Sequence, residues 1–335
     1  MITPNVNNEW GQLKKIILGT TKNAQIPTTK DKGLHCIDYA HYSDEEFAKI
    51  PTGTYPTQVL EETEEDLNEI ENILVKLGVE VYRPPTVVDD RPFNDSYYDY
   101  CPRDSMLVIK DKVIATPMTL RQRRDEADKY KQLFTPESWV TFPKPVAEDS
   151  LYDRTDLSKS TLMNTEPVFD AANILRANYD LLYLVSNTGN KAGADYLQNW
   201  LRENISDRYR VHLAENIYAY IHIDTTFVFL REGVVLTNPA RVNTYNMPAF
   251  LKNWYSINAP EPYATQVMPD WCPASPWLGM NILSINENLV MVEEHQIILM
   301  KLLKKMGIDS IPVRLRHART LSGGPHCITL DVERD

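Results

Sequence analysis

Near the end of this 335-residue chain two glycines precede a cysteine, in Leu321-Ser322-Gly323-Gly324-Pro325-His326-Cys327. Glycine lets a backbone turn tightly and come close to another group. Residues 328–332 read as a strand, so Cys327 is expected at a strand mouth. A hundred residues or so upstream, at about the same place relative to another strand, stand His222 and Asp224 in His222-Ile223-Asp224. A thiol, an imidazole and carboxylates offered from strand mouths are the parts of a covalent thiol catalyst. Asp104 (in Cys101-Pro102-Arg103-Asp104), Asp170 (in Phe169-Asp170-Ala171-Ala172) and Ser275 also lie just ahead of apolar runs.

Each of these residues has a plainer reading on its own. A single cysteine is usually a small buried hydrophobe. Asp104 beside Arg103 reads as an ion pair, Asp170 as a turn cap and Ser275, amid prolines, as loop. His-x-Asp on a strand puts both side chains on one face, which would suit a metal, but no third ligand follows at a useful spacing.

What gathers them is a repeat: two short strands joined tightly, then a helix, then another strand. The first unit has strands at 106–109 and 113–115, a charged helix over 121–133 and a strand at 139–142. The second has 173–176, 181–185, a helix over 190–204 and 208–213; the third has 226–230, 234–237 and a short helix near 249–254. The fourth has 282–285, 289–292, a helix over 295–306 and 311–315. The turns Asn286-Glu287-Asn288 and Glu232-Gly233 have hairpin chemistry. A fifth unit forms only by joining the chain ends: 328–332 pairs with 15–18, followed by a helix over 58–77 and a strand at 79–82. The expected fold is therefore α/β, a fivefold pseudosymmetric propeller of ββαβ units closed by the N- and C-terminal strands, in one domain spanning 1–335. Such closure leaves only short sheet edges. Asp104, Asp170, His222, Asp224, Ser275 and Cys327 all precede the first strand of a unit, so they converge on one axial cavity.

The bulk properties narrow the function. The chain is 43% hydrophobic with net charge −11, and no Lys/Arg stripe is present to displace counterions, which argues against nucleic acid or an anionic membrane as partner. The first residues lack a basic and apolar leader, and no apolar run approaches the ~18 residues of a membrane span. Cys36, Cys101, Cys272 and Cys327 are scattered, which fits reduced thiols in the cytoplasm better than a disulfide framework or a zinc site. The acidic run Glu61-Glu62-Thr63-Glu64-Glu65-Asp66 falls in the first turns of an amphipathic helix and reads as a solvated face.

Six stretches resemble amidinotransferases of the glycine and inosamine-phosphate type: Cys101-Pro102-Arg103-Asp104, Phe169-Asp170-Ala171-Ala172-Asn173, His222-Ile223-Asp224-Thr225-Thr226-Phe227, Leu236-Thr237-Asn238-Pro239, Trp277-Leu278-Gly279-Met280-Asn281 and Gly323-Gly324-Pro325-His326-Cys327. They keep the family's order across nearly the whole chain. Tyr183-Leu184-Val185-Ser186-Asn187 and the acidic run look most like the cyanobacterial saxitoxin-pathway branch. The resemblance implies a pentein fold, arginine as amidino donor, an amine acceptor, no cofactor or metal, and a homodimer. It implies Cys327 as nucleophile, His222 as general acid/base, Asp170 and Asp224 on the guanidinium, and Asp104, Arg241 and Ser275 on the amino-acid end of donor or acceptor. Arg241 alone would read as a surface arginine. Glycine amidinotransferases carry Asn-Pro-Met before the histidine, where this chain has Ala219-Tyr220-Ile221, which weighs against glycine as acceptor. Family chains usually run on past the strand after the cysteine, whereas this one stops at Asp335.

Three other readings compete: a deiminase- or amidinohydrolase-like enzyme in which water attacks the same intermediate, a non-catalytic guanidino-compound binder, and a metal hydrolase using His222, Asp224 and Asp170. Water exclusion separates transfer from hydrolysis, and residues 20–56 and 84–100 are the candidate lids. Trp271, Tyr220 and residues 243–247 are expected to shape the acceptor pocket.

Overall fold

The computed structural model describes residues 1–335 apart from 23, 29, 86–97, 219, 265–268, 270 and 273. Its hairpins begin with their turns. Lys110 (φ 51°), Asn178 (φ 60°) and Gly233 (φ 72°) take positive φ in two-residue turns. These close Met106–Ile109 onto Lys112–Ala115, Ile174–Ala177 onto Asp180–Leu184, and Phe227–Arg231 onto Val234–Thr237. Leu283–Asn286 pairs in the same way with Leu289–Glu293. Each hairpin then gains a third strand parallel to its second: Trp139–Thr141, Arg210–Ala214, Tyr255–Asn258 and Asp309–Val313 respectively.

The chain ends repeat the pattern. Thr329–Arg334 runs antiparallel to Leu13–Leu18, with Ile16 opposite Asp331 and Ile17 opposite Leu330, and Glu80–Tyr82 is parallel to Leu13–Leu18. The α/β content is thus five three-stranded sheets of one topology, with a two-stranded ribbon, Gln25–Ile26 and Gly53–Thr54, outside them.

The inner strands are apolar on both faces, as strands buried on both sides require. Alternation sends their side chains to opposite neighbours. Leu107 and Ile109 pack with Ile174 and Leu181, while Met106 and Val108 pack with Ile17 and Leu330. Leu175 and Leu182 meet Phe227 and Phe229; Val228 and Leu230 meet Ile282 and Val290; Leu283 and Ile285 meet Leu13 and Ile16. Every sheet therefore shares an apolar cluster with the next.

The connecting helices differ in kind. Thr57–Lys76, Lys191–Asn204 and Ile297–Lys305 are α-helices near their expected bounds. The expected helix over 121–133 is instead two 3₁₀ segments, Arg121–Arg123 and Glu126–Leu133. Ala127, Tyr130 and Leu133 recur every third residue, which suits three residues per turn rather than 3.6. The third unit's helix shrinks to a 3₁₀ turn, Ala249–Leu251, and is followed by Tyr255–Asn258, a strand the sequence reading did not include. Inside residues 20–56 lie two unforeseen short helices, Lys32–Ile37 and Asp44–Ala48.

The acidic run is not a uniformly solvated face. Asp66 is buried and accepts from Arg314 Nε (2.8 Å) and from the Arg316 amide (2.8 Å). Glu64 accepts from Thr20 Oγ1 (2.6 Å) and from Arg83 Nη2 (2.8 Å). These carboxylates pin the long helix to two other parts of the chain, because it crosses cationic side chains there. Among the described residues, no helix is long and apolar enough to cross a membrane.

Candidate active site

Each predicted side chain is delivered by the short segment that leads into a hairpin. Asp104 sits in Pro102–Ser105, directly ahead of Met106–Ile109. Asp170 precedes the 3₁₀ turn Ala171–Asn173, which runs into Ile174–Ala177. Ser275 caps the 3₁₀ helix Pro276–Met280, accepting from the Trp277 amide (3.1 Å) ahead of Leu283–Asn286. Cys327 leads into Thr329–Arg334. His222 and Asp224 lie before Phe227–Arg231 rather than on a strand, so they do not share a strand face. His222 takes a positive φ of 28°, a rare conformation for a residue with a Cβ that is commonly held at functional sites. It and Asp224 consequently reach different partners.

His222 Nε2 lies 3.2 Å from Asp170 Oδ2, and its Nδ1 is 3.6 Å from Asp104 Oδ1. Burial works against the imidazolium, but the carboxylates of Asp104, Asp170 and Asp224 overcome it and hold the ring pKa up at about 9. Asp170 Oδ1 is fixed from the other side by the Thr119 amide (3.1 Å) and hydroxyl (3.2 Å). Asp104 Oδ2 receives Arg123 Nη1 at 2.7 Å, while its buried Oδ1 has no hydrogen-bond donor among the described residues. Arg123 is a residue the sequence reading missed; it also grips Glu126 with Nε and Nη2 (2.8–3.0 Å).

The sulfur belongs to the other half of the site. Cys327 Sγ donates to Asp224 Oδ2 (3.2 Å), which also takes His326 Nδ1 at 3.1 Å. Burial alone would raise the Asp224 carboxyl, yet His326, His222 and the thiol together bring it down to about 2. The Cys327 thiol is pushed well above its ordinary value by its contact with Cys101, by burial and by the carboxylates of Asp224 and Asp104. Among the described residues no hydrogen bond joins Sγ to the His222 ring. The two halves meet through charge, since His222 and Asp224 each stabilise the ionised form of the other.

The motif glycines have a steric reason. A Cβ on Gly323 would sit 2.7 Å from Cys101 Sγ, and one on Gly324 would sit 2.7 Å from Asn281 Oδ1. Neither has positive φ, so close approach rather than a tight turn demands them.

Arg241 and Ser275 are brought together: Nη2 donates to Ser275 Oγ at 2.8 Å. Arg241 Nη1 donates to Thr225 O and Oγ1 and to Thr226 Oγ1 (2.9–3.0 Å), and the guanidinium lies 3.5 Å over the Tyr218 ring. No carboxylate pairs with it among the described residues, so its charge is open to an incoming anion. Ser275 is therefore more than loop. Arg103 and Asp104 are not partners, because Arg103 turns to Asp331 and Glu9.

A cavity of about 80 Å³ is walled by Asp104, Asp170, His222 and Arg123 on one side. Gln25, Ile26, Asp38, Tyr39, Tyr55 and Tyr98 form the other side. Several residues of the 20–56 segment expected as a lid therefore line the cavity; most of 84–100 lies outside the described residues. Cys327 is 4% exposed and is not among the lining residues. Trp271, Tyr220 and residues 243–247 are not among the walls. Trp271 stands behind Tyr55 (ring centroids 6.1 Å apart), Tyr220 packs on Tyr218, and the 243–247 turn points outward. Asp38, another unforeseen wall residue, has its carboxyl pKa raised to about 6 by burial, against the pull of Arg123 and His222. The cavity's excess of carboxylates favours a cationic occupant. Among the described residues no group of three or more His, Cys, Asp or Glu is arranged to hold a metal ion.

No family model matches the chain. It is 42% identical over 340 residues to inosamine-phosphate amidinotransferase 1 of Streptomyces glaucescens, covering 98% of this chain and 96% of that one. It is 31% identical to the mitochondrial glycine amidinotransferase of Xenopus tropicalis, over 98% of this chain and 82% of the relative. Among solved structures, the inosamine-phosphate amidinotransferase of Streptomyces griseus superposes with a TM-score of 0.91 at 42% identity, covering 99% and 97% of the two chains. An amidinotransferase of the saxitoxin biosynthetic pathway from Microseira wollei superposes at 0.86 with 31% identity, covering 99% and 98%.

Proposed function

Because the chain belongs to the amidinotransferase family, we propose that it moves the amidino group of arginine to an amine acceptor through a covalent amidino-cysteine on Cys327. The setting we propose is biosynthesis of a guanidino-containing secondary metabolite or toxin, as the relatives' names suggest. The observation that carries the reading is the buried cluster of Cys327, Asp224, Asp170, Asp104 and His222, in which carboxylates outnumber cations.

A guanidinium is a fork of N–H donors that carboxylates can hold in bidentate fashion. Asp170 and Asp224 orient it, the cation relieves the repulsion that keeps the Cys327 thiol protonated, and the thiol proton is released to solvent. The thiolate then adds to the guanidino carbon. His222, protonated at neutral pH, gives its proton to the leaving nitrogen; that C–N bond breaks and ornithine departs. An amidino group remains on sulfur. In the second half an acceptor amine attacks the same carbon, His222, now neutral, takes the amine proton, and the C–S bond breaks to give back the thiolate, which regains a proton from solvent as the guanidino product leaves. Acid/base help of this kind contributes about 10²- to 10⁴-fold. Arg241 with Ser275 takes the donor carboxylate and Asp104 its α-ammonium.

The ring of shared apolar clusters and the pairing of Thr329–Arg334 with Leu13–Leu18 support closure of the five sheets into one pentein propeller domain. The four free cysteines support a reducing, cytoplasmic setting. The test is to incubate the protein with arginine, with and without a panel of amines, and to score ornithine, guanidino product, citrulline and urea. Transfer gives ornithine beyond one equivalent of enzyme, and a guanidino product, only when amine is present, with ping-pong kinetics and an amidino adduct on the Cys327 peptide. Citrulline or urea from arginine alone would mean hydrolysis, and no product with tight arginine binding would mean a binder.

A further inference from the structure

One buried amide touches the reacting sulfur and has no role in the reading above. Asn281 is 1% exposed and follows the 3₁₀ helix Pro276–Met280. Its Oδ1 accepts from the amides of both His326 (2.9 Å) and Cys327 (3.2 Å). Its Nδ2 donates to Cys327 Sγ at 3.0 Å. One planar group therefore fixes the backbone that carries the nucleophile and aims an N–H at the nucleophile itself. The oxygen and nitrogen ends of the amide are assigned by these partners, since two backbone donors require Oδ1 on their side.

The remaining surroundings of the sulfur oppose negative charge. The thiol proton points to Asp224, an anion once ionised, and Cys101 brings a second thiol. When the proton leaves, Asp224 becomes a repulsive neighbour, whereas the Asn281 N–H becomes a charge-assisted donor, roughly twice as strong as a neutral one. A donor already oriented in a buried site stabilises developing charge without reorganisation. The absence of a side chain at residue 324 is what lets the amide sit there, since a Cβ would meet Asn281 Oδ1, Cβ and Cγ at 2.7–3.0 Å.

We propose that Asn281 is a catalytic residue, the hydrogen-bond donor that supports the Cys327 thiolate during attack and again when sulfur is expelled from the amidino adduct. This rests on the amidino-cysteine reading. It adds a link to substrate binding, because Ser275, on the proposed carboxylate clamp, caps the start of the same five-residue helix that Asn281 ends. Anchoring the donor at one end steadies the amide at the other.

The test uses Asn281→Asp, which keeps the shape and an acceptor for the two backbone amides but replaces the donor with an oxyanion. The rate of Cys327 alkylation by iodoacetamide, read by peptide mass in the free protein across a pH series, reports the thiolate directly. Exchange of labelled ornithine into arginine reports the first half-reaction without an acceptor. In a variant that unfolds cooperatively like the parent, the alkylation midpoint is expected to move up by about one pH unit or more. Exchange is expected to slow by about 10²- to 10³-fold, as when one oriented donor is lost, with the KM for arginine changing less than about threefold. Gly324→Ala, which displaces the amide without altering its chemistry, should move the midpoint in the same direction and keeps the proposal testable if the Asp variant does not fold. An unchanged alkylation profile and exchange rate in either folded variant would overturn it. Absence of exchange in the parent protein would instead sink the amidino-transfer reading, while the alkylation arm would still judge Asn281.

Discussion

Two buried ionic clusters lie side by side in this molecule, and only one is complete. In the first, Arg176 binds Glu9 (2.7 Å) and Asp331 (2.8 Å), Arg334 binds Asp331 (2.8 Å), and Arg103 reaches both acids. Remaining guanidinium N–H groups go to carbonyls, Arg176 to Val108 O and Arg334 to Gly11 O and Ser284 O. The arginines press Asp331 far below the usual carboxylate range despite its burial. In the second, Asp38, Asp104, Asp170 and Asp224 share His222, Arg123 and His326, and among the described residues Asp104 Oδ1 has no donor. His326 bridges the clusters, Nδ1 to Asp224 (3.1 Å) and Nε2 to Glu9 (3.5 Å). The complete cluster ties the terminal strands to their neighbours. The incomplete one lacks positive charge, and that shortfall is what supports the proposal that a guanidinium binds there.

Five experiments can break or sharpen this contrast. Cys327→Ala should abolish turnover while leaving thermal unfolding near that of the parent; retained activity would remove the thiol from the mechanism. Arg176→Ala should leave Glu9 and Asp331 buried against too little positive charge and cost about 3–5 kcal/mol in a urea titration; a loss below about 1 kcal/mol would mean the first cluster holds nothing together. Asp170→Asn should lower kcat/KM for arginine by about 10²–10³, an electrostatic loss, with little change in stability, and unchanged kinetics would take Asp170 out of the site.

The smallest effects are pH-dependent, and they have opposite signs. His222 is raised from 6.5 to about 9 in the folded protein, so its stabilising contribution is complete below about pH 6.5 and gone above about pH 9. The Tm gap between the parent and His222→Asn should close over that window. Asp38 is raised from 3.8 to about 6, so ionising it costs the folded state nothing below about pH 4 and most above about pH 6. Asp38→Asn should therefore match the parent at pH 4 and equal or exceed its Tm at pH 7. A variant less stable at pH 7 would show that Asp38 has a cationic partner after all.

The sequence displayed the repeat because its signals are local. Two-residue turns such as Asn178-Tyr179 and two-faced apolar runs such as Met106–Ile109 are set within a few residues. It also displayed Asp104, Asp170, His222, Asp224, Ser275 and Cys327 as candidates, because each precedes the first strand of a hairpin, whereas Arg241 follows a hairpin and was suggested only by the family resemblance. It did not display Asn281, His326 or Arg123 as partners, because their contacts cross 46, 102 and 19 residues and depend on how the sheets pack. Asn281 stood at the end of a motif stretch and His326 beside the cysteine, but nothing local tells a donor to sulfur from an ordinary buried amide. The small helices over the site left one readable signal: Ser43-Asp44-Glu45-Glu46 is a capping box, and both of its bonds form. The packing of Asp66 under Arg314 and Arg316 was hidden for the opposite reason, since a run of acids looks the same whether it faces water or a cation some 250 residues away.

The pairing of Leu13–Leu18 with Thr329–Arg334 has a consequence for how the protein comes into being. The strand that completes the fifth sheet, and the sulfur just ahead of it, are made long after the strand they join, Leu18 meeting Thr329 across most of the sequence. A nascent chain can assemble its inner hairpins early, since their contacts are short in sequence, but the seam waits for synthesis to reach it. Docking of that strand also places Cys327 against Asn281 and Asp224, so the seam and the sulfur's surroundings form together.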